Sequence, residues 1–325
     1  MSSGHPDATP RLIADVGGTN ARFALVFPER PEPREIRRLP TADFRDFASA
    51  ARAYLEAVAP PAHPTHALCA IATPVLGDWL AMTNSPWAFS VSDNRDRLGL
   101  ERLTFINDFA AQALAVPHLK PEECTRIGTG MPEADRPIGV LGPGTGLGVS
   151  VLVPCATGWH ALETEGGHTT FAPNSDREAQ VAARIRTRYG HCSIERVASG
   201  IGLTAVYAAL CELEGKEDVN DQPASAITRA ATEGQPLAHE AVVLFCDALA
   251  TMAGNVALAT GARGGVYLCG GILPKLGALF DGERFRERFE AKGRACEYLR
   301  RIPVWQVHAA DPALAGLAHA VQEVP

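Results

Sequence analysis

A chain of 325 residues with 46% hydrophobic and 21% charged side chains has an ordinary globular composition, and its length predicts two domains rather than one core. A net charge of -7 and a pI near 5.8 leave no basic face for a phosphate backbone, which excludes nucleic acid as a main partner. The opening MSSGHPDATPR has no apolar core of the kind a secretory signal carries.

Taken in order, Leu12 to Phe27 reads as a hairpin: an apolar strand reaching Asp15, the tight turn Gly17-Gly18-Thr19-Asn20, and a second apolar run from Phe23. Arg34 to Leu39 extends it as a third strand. Apolar residues at helical spacing predict a helix over Asp43 to Ala59, ended by prolines. His66 to Thr73 is a buried strand, Asp78 to Ser90 a short hairpin or loop, and Asp93 the start of a short helix. Leu103 to Asn107 is a strand, and Asp108 opens a helix that stops at Pro117. Ile138 to Leu141, the turn Gly142 to Gly148, and Val149 to Val153 repeat the opening pattern, with Trp159 to Leu162 as a further strand. Two short copies of one motif suggest two domains of similar topology.

Glu163 to Pro173 is loop-like. Helices follow at Asp176 to Tyr189, Leu203 to Leu213, Ala224 to Ala231 and Leu237 to Gly261. The most apolar region, Ala248 to Ile272, is interrupted by Gly254, Asn255, Arg263 and paired glycines, so no membrane span is expected. Val266 to Cys269 is a strand, Gly270-Gly271 a turn, and Leu273 to Leu279 a helix. Arg284 to Arg301 interleaves Arg with Glu and reads as solvated helix surface. A strand over Ile302 to His308 and a helix over Ala313 to Val321, begun by Asp311-Pro312, close the chain. Eight scattered cysteines with no CxxC pair point to a reducing cytoplasm and no structural zinc.

Three glycine turns follow strands, at Gly17-Gly18, Gly142 to Gly148 and Gly270-Gly271. Each alone is a tight turn. The first two lead into strands and spell no GxGxxG, and no GK[ST] occurs, so Rossmann and Walker loops are excluded. Turns of small residues still offer backbone N–H groups to a polyphosphate. Asn107-Asp108 ends a strand and opens a helix, which fits either an Asp cap or a carboxylate at the ligand edge of an α/β sheet. Glu165 and His168 flank two glycines that argue against a helical metal half-site, leaving a polar loop. The i,i+4 pair His191 and Glu195 completes no metal site and reads as a surface pair.

The blocks ADVGGTNARFAL, MTNSPWAFS, INDFAAQALAVP, GPGTGLGVS, TEGGHTTFAPNS, HCSIERVASGIGL and GGVYLCGGILPK resemble, in order, those of the bacterial glucokinases of the hexokinase-like group. ROK sugar kinases share the DxGGT turn but carry a Cys-rich zinc motif, which is lacking here. The resemblance implies a two-domain actin-like (ribonuclease H-like) α/β ATPase fold, with a mixed sheet in each domain and an interdomain cleft. Residues 11–117 plus 309–325 would form a small domain and 118–308 a large one. It further implies ATP and Mg²⁺ as cofactors, glucose as substrate, a homodimer, and a cytoplasmic enzyme.

At matching positions it assigns Asn107, Asp108, Glu165, His168 and Glu195 to the sugar, with Asp108 as catalytic base and Asn84 in a block near the sugar. Asp15 with Gly17, Gly18, Thr19 and Asn20 matches the phosphate and Mg²⁺ loop, Asp15 meeting the metal directly or through water. Gly144, Thr145 and Gly146 match the second phosphate loop, and Gly270 and Gly271 the nucleoside side. Thr164 departs from the family's usual Gly, and is expected to leave Glu165 and His168 in place. A broader-range hexokinase or glucomannokinase, a non-catalytic sugar sensor, and an actin-like or chaperone-type ATPase remain as alternative readings; the last is weak on fold alone.

Overall fold

The computed structural model describes residues 9–82, 85–156, 158–216, 222–309 and 311–323. In chain order its first elements are β1 (Arg11–Val16), β2 (Asn20–Phe27), β3 (Arg30–Pro40), α1 (Phe47–Val58), β4 (His66–Ile71), β5 (Trp79–Ala81), β6 (Ala88–Ser90), α2 (Val91–Leu98), β7 (Arg102–Asn107) and α3 (Asp108–Ala115). Then come β8 (Cys124–Ile127), β9 (Ile138–Pro143), β10 (Leu147–Cys155), β11 (Gly158–Glu163), α4 (Asp176–Tyr189), α5 (Gly200–Leu213), α6 (Ala224–Thr232) and α7 (Pro236–Thr260). The chain closes with β12 (Gly265–Leu268), α8 (Ile272–Leu276), α9 (Gly282–Glu290), α10 (Cys296–Arg300), β13 (Val304–Val307) and α11 (Pro312–Glu323).

These elements group into two compact units, Met1–Leu119, Cys155–Glu163 and Ala309–Pro325 in unit 1, and Lys120–Pro154 and Thr164–His308 in unit 2. The segment Cys155–Glu163, which the expected boundaries put in the large domain, counts with unit 1 because β11 packs on α3.

Unit 1 is built on a mixed sheet of order β3-β2-β1-β4-β7, antiparallel through the hairpin and parallel from β1 to β7. Side chains alternate between its two faces, and both faces are covered. Leu12, Ala14, Val16, Phe23 and Leu25 pack with Phe47, Tyr54 and Leu98 from α1 and α2. Ile13, Ala24, Val26, Leu68 and Ala70 pack with Ala111 of α3 and Leu314 and Leu317 of α11. Each fully buried side chain of this size contributes about 1.5–3 kcal/mol of transfer free energy. The helix expected from Asp43 starts instead at Phe47, because Asp46 and Ser49 form a reciprocal capping box there.

Unit 2 repeats the arrangement: β10-β9-β12-β13 has the order and sense of β2-β1-β4-β7, with β8 added antiparallel to β13. The short strand β8 was not signalled by the sequence. Helix α7 has 25 residues and is long and apolar enough to cross a membrane, but most of it is buried in unit 2, against α5, α6 and α9. The basic segment Arg284 to Arg301 is largely exposed, as its charge pattern suggested, but Arg286 is an exception. Arg286 is 8% exposed and donates to the carbonyls of Leu299, Arg300 and Ile302. Arg284 holds the buried Asp247 through two hydrogen bonds, and Arg288 pairs with the buried Glu178. All eight cysteines are free thiols, most of them buried.

Candidate active site

The parallel register of unit 1 sets Val16, Ile71 and Asn107 level at one edge of the sheet. The first glycine turn, after β1, and the Asn107-Asp108 step, after β7, therefore share that edge, about 10 Å or two strand spacings apart. The turn is closed by the Gly17 N–H donating to the Asn20 carbonyl at 3.0 Å. Thr41, itself buried, staples it: its hydroxyl donates to the Gly18 carbonyl at 2.7 Å and its N–H to the Thr19 carbonyl at 3.0 Å. Among the described residues no backbone carbonyl accepts from the N–H groups of Gly18 and Thr19, so these donors remain for an anion.

Asp15 precedes the turn on the sheet face that carries α3 and α11, paired in register with Arg22 on β2. Burial raises its carboxyl above the usual carboxylate range, and Arg22, with Nε 3.8 Å from Oδ2, pulls it back only in part. Arg22 also pairs with Asp311. A carboxylate beside free turn donors suits a Mg²⁺ ion that arrives on phosphates, since Mg²⁺ needs only one or two protein carboxylates when phosphate oxygens supply the rest. Among the described residues no group of three or more His, Cys, Asp or Glu is clustered to hold a metal by itself.

At the other end of the edge, Asn107 caps α3: its Oδ1 accepts from the N–H groups of Phe109 at 2.9 Å and Ala110 at 3.2 Å. The cap is thus Asn107, one residue before the Asp108 that the capping alternative named. The Asn107 N–H donates to Oε1 of Glu163 at 2.9 Å.

In unit 2 the second glycine turn and the Glu165 loop meet. Gly144 N–H donates to the Gly146 carbonyl at 2.8 Å, and no backbone carbonyl among the described residues accepts from Thr145 or Gly146 N–H. The first N–H groups of α5, from Gly200 and Ile201, donate to the carbonyls of Gly144 and Thr145 at 2.8 and 3.3 Å. Gly270 has φ +90°, and a Cβ there would meet the Pro143 carbonyl at 2.6 Å, so the third turn packs directly on the strand leading into the second. Gly144 to Gly146 and Gly270-Gly271 thereby share one sheet edge, at the carboxyl ends of the parallel strands β9 and β12.

Glu195 reaches this turn. Its Oε2 accepts from Leu147 N–H at 2.9 Å, and its own N–H donates to the Gly167 carbonyl at 3.0 Å. Any side chain at Gly146 would run into the Glu195 carboxylate, and any at Gly167 into the Leu147 carbonyl. Glu195 is therefore part of the turn rather than half of a surface pair with His191, whose Nε2 contacts the Thr170 hydroxyl at 3.0 Å instead. Glu165 and His168 bracket a 3₁₀ turn, Gly166–His168, with His168 Nε2 3.7 Å from Glu165 Oε2. Both side chains are more than 60% exposed and so are open to a ligand. Thr164 donates its hydroxyl to the Val149 carbonyl at 2.6 Å, which ties the loop to β10.

Asn84 lies outside the described residues. Sequence reasoning missed Thr41, Glu163 and Ser199. Only Ser199 carried a signal: a Ser ahead of an apolar helix is a capping pattern, and its Oγ accepts from Gly202 N–H at 3.0 Å.

Two mixed sheets of shared strand order, each with a glycine turn at its edge, give an α/β protein of the sugar-kinase type. The solved glucokinase of an Antarctic psychrotroph has this fold, with a TM-score of 0.86 and 36% identity over 96% of this chain and 98% of that one. Curated glucokinases of Paramagnetospirillum magneticum and Chromobacterium violaceum are 48% and 46% identical, covering 96% and 98% of this chain and 97% and 91% of theirs. The glucokinase family profile matches residues 12–324, and the chain belongs to the glucokinase family.

Proposed function

We propose that the protein transfers the γ-phosphoryl group of ATP to the 6-hydroxyl of glucose, with Asp108 as general base. Membership of the glucokinase family over nearly the whole chain carries this reading. The glucose O6 attacks the γ-phosphorus, the bond to the β-phosphate oxygen of ADP breaks, and the O6 proton passes to the Asp108 carboxylate. What supports Asp108 is its place at the carboxyl edge of the unit 1 sheet, beside an Asn107 that does the capping. The Asn107 amide, Glu165, His168 and Glu195 would pair the hydroxyls of the sugar. An epimer would lose one of these hydrogen bonds, costing on the order of 0.5–3 kcal/mol.

The N–H groups of Gly18, Thr19, Thr145 and Gly146 would stabilise charge on the phosphates, with Gly270 and Gly271 on the nucleoside side. When bound, Mg²⁺ neutralises phosphate charge, and Asp15 would hold it directly or through water. In this reading the chain has the actin-like (ribonuclease H-like) ATPase fold of a sugar kinase. The enzyme is cytoplasmic and homodimeric, and acts in glycolysis.

A coupled assay of ATP consumption over glucose, mannose and fructose tests the function. Sugar-dependent turnover that favours glucose is expected. Equal ATP hydrolysis with and without sugar would overturn it, and equal rates on all three would replace it with a broader hexokinase. Glu165→Ala should raise the glucose KM about tenfold or more, as for a lost hydrogen bond to a charged group; an unchanged KM and kcat would remove this loop from the site.

A further inference from the structure

β7 is an edge strand, so the outward N–H of its last residue, Asn107, lacks a strand partner and needs an acceptor. Glu163 supplies it, with Oε1 2.9 Å from the Asn107 nitrogen. A carboxylate on a backbone N–H is a charge-assisted bond, roughly twice as strong as a neutral one. The contact is not isolated. Glu163 is the last residue of β11, which packs along α3, and this packing draws Cys155–Glu163 into unit 1. The next residue, Thr164, is tied by its hydroxyl to the Val149 carbonyl, so the backbone on the far side of Glu163 is also held.

Asn107 is the pivot on which this bears. Its backbone, at φ −58° and ψ 142°, turns the chain from strand to helix, and its Oδ1 caps the helix. The direction in which Asp108 leaves α3 follows from that peptide. We infer that Glu163 is a positioning residue for the general base, fixing the Ile106–Asn107 peptide and with it the Asn107 backbone that turns into Asp108. The inference rests on the reading of Asp108 given above. Glu163 touches neither substrate in this scheme. Its effect is on the aim of the carboxylate at the 6-hydroxyl, where a displacement of about 1 Å can cost on the order of 100-fold in rate. Its signature is a loss in kcat with little change in substrate binding.

The test compares Glu163→Ala, Glu163→Gln and Glu163→Asp in the full-length enzyme, with Asp108→Asn as control. Glu163→Ala should lower kcat about 10–100-fold, the scale of a misaligned catalytic group, with the glucose KM within about threefold of wild type. Glu163→Gln keeps an acceptor oxygen at the same reach and should restore kcat to within about threefold of wild type. Glu163→Asp keeps the charge but is one methylene too short, and should lose kcat as the alanine variant does; it stands in should Glu163→Ala fail to fold. A merely structural role would lower the thermal midpoint and leave kcat of the folded enzyme unchanged. Wild-type kcat in Glu163→Asp, or an equal loss in Glu163→Gln, overturns the inference. An active Asp108→Asn overturns the base reading itself, whereas an inactive Asp108→Asn beside a fully active Glu163→Ala overturns only the role of Glu163.

Discussion

In the role proposed for it, Asp15 works against the stability of its own fold. Burial raises its carboxyl, so the folded protein binds the proton more tightly than the unfolded chain does. The stability this group contributes is present at acid pH and is lost as pH rises through its raised value. At neutral pH the ionised, buried carboxylate is a cost, and a cation beside it would offset that cost. Asp15→Asn should therefore raise the thermal midpoint of the ligand-free protein at pH 7, while turnover falls about 100-fold or more, the scale for losing a group that stabilises transferring charge. For the wild type, Mg²⁺ activation should weaken as pH falls, starting above the ordinary carboxylate range. Thermal melts and Mg²⁺ titrations across pH measure both, and a lower midpoint in Asp15→Asn would contradict the account. At this scale the sequence set Asp15 and Asn107-Asp108 towards the ends of strands, as the structure does. It was silent on Thr41 and Glu163, whose partners lie 23 and 56 residues away and are chosen only by the fold.

Among the elements, α3 matters most, because it begins at Asp108 and its backbone must be held. α11 crosses it at Gly316, where a Cβ would run into the Ala111 carbonyl and lie 2.9 Å from the Ala115 nitrogen. α11 also meets the 3₁₀ turn that follows α3, where the rings of His118 and His319 stack with 3.5 Å between centroids. Gly316→Ala should destabilise the protein by about 1–3 kcal/mol, the usual cost of overpacking, or more, since the obstacle is backbone. Denaturant unfolding measures this, and an unchanged midpoint would show that the helices separate at little cost. The apolar patterns of β1, β2 and β4 were legible because they are local. The buried Arg286 of α9 was not: charge spacing alone cannot show that it will meet carbonyls 13 to 16 residues on.

For the whole molecule, the repeated glycine hairpin suggested two domains of similar topology, and β2-β1-β4-β7 and β10-β9-β12-β13 share one strand order. The return of the C-terminal helix to the first unit was expected, and α11 packs there on β1, β3 and β4 as well as α3. The return of β11 was not, because a strand that follows β10 in sequence gives no local sign that it will pack on α3. Family membership, read from ordered blocks and matched over residues 12–324, ties these parts to one chemistry. In the proposed mechanism that chemistry turns on a proton leaving the sugar for Asp108. The most direct measurement is Asp108→Asn, assayed for glucose-dependent ATP consumption and for glucose binding by calorimetry. Turnover should fall about 10²- to 10⁴-fold, the range for a lost general base, with the glucose Kd within a few-fold of wild type. Turnover near the wild-type rate would contradict the account.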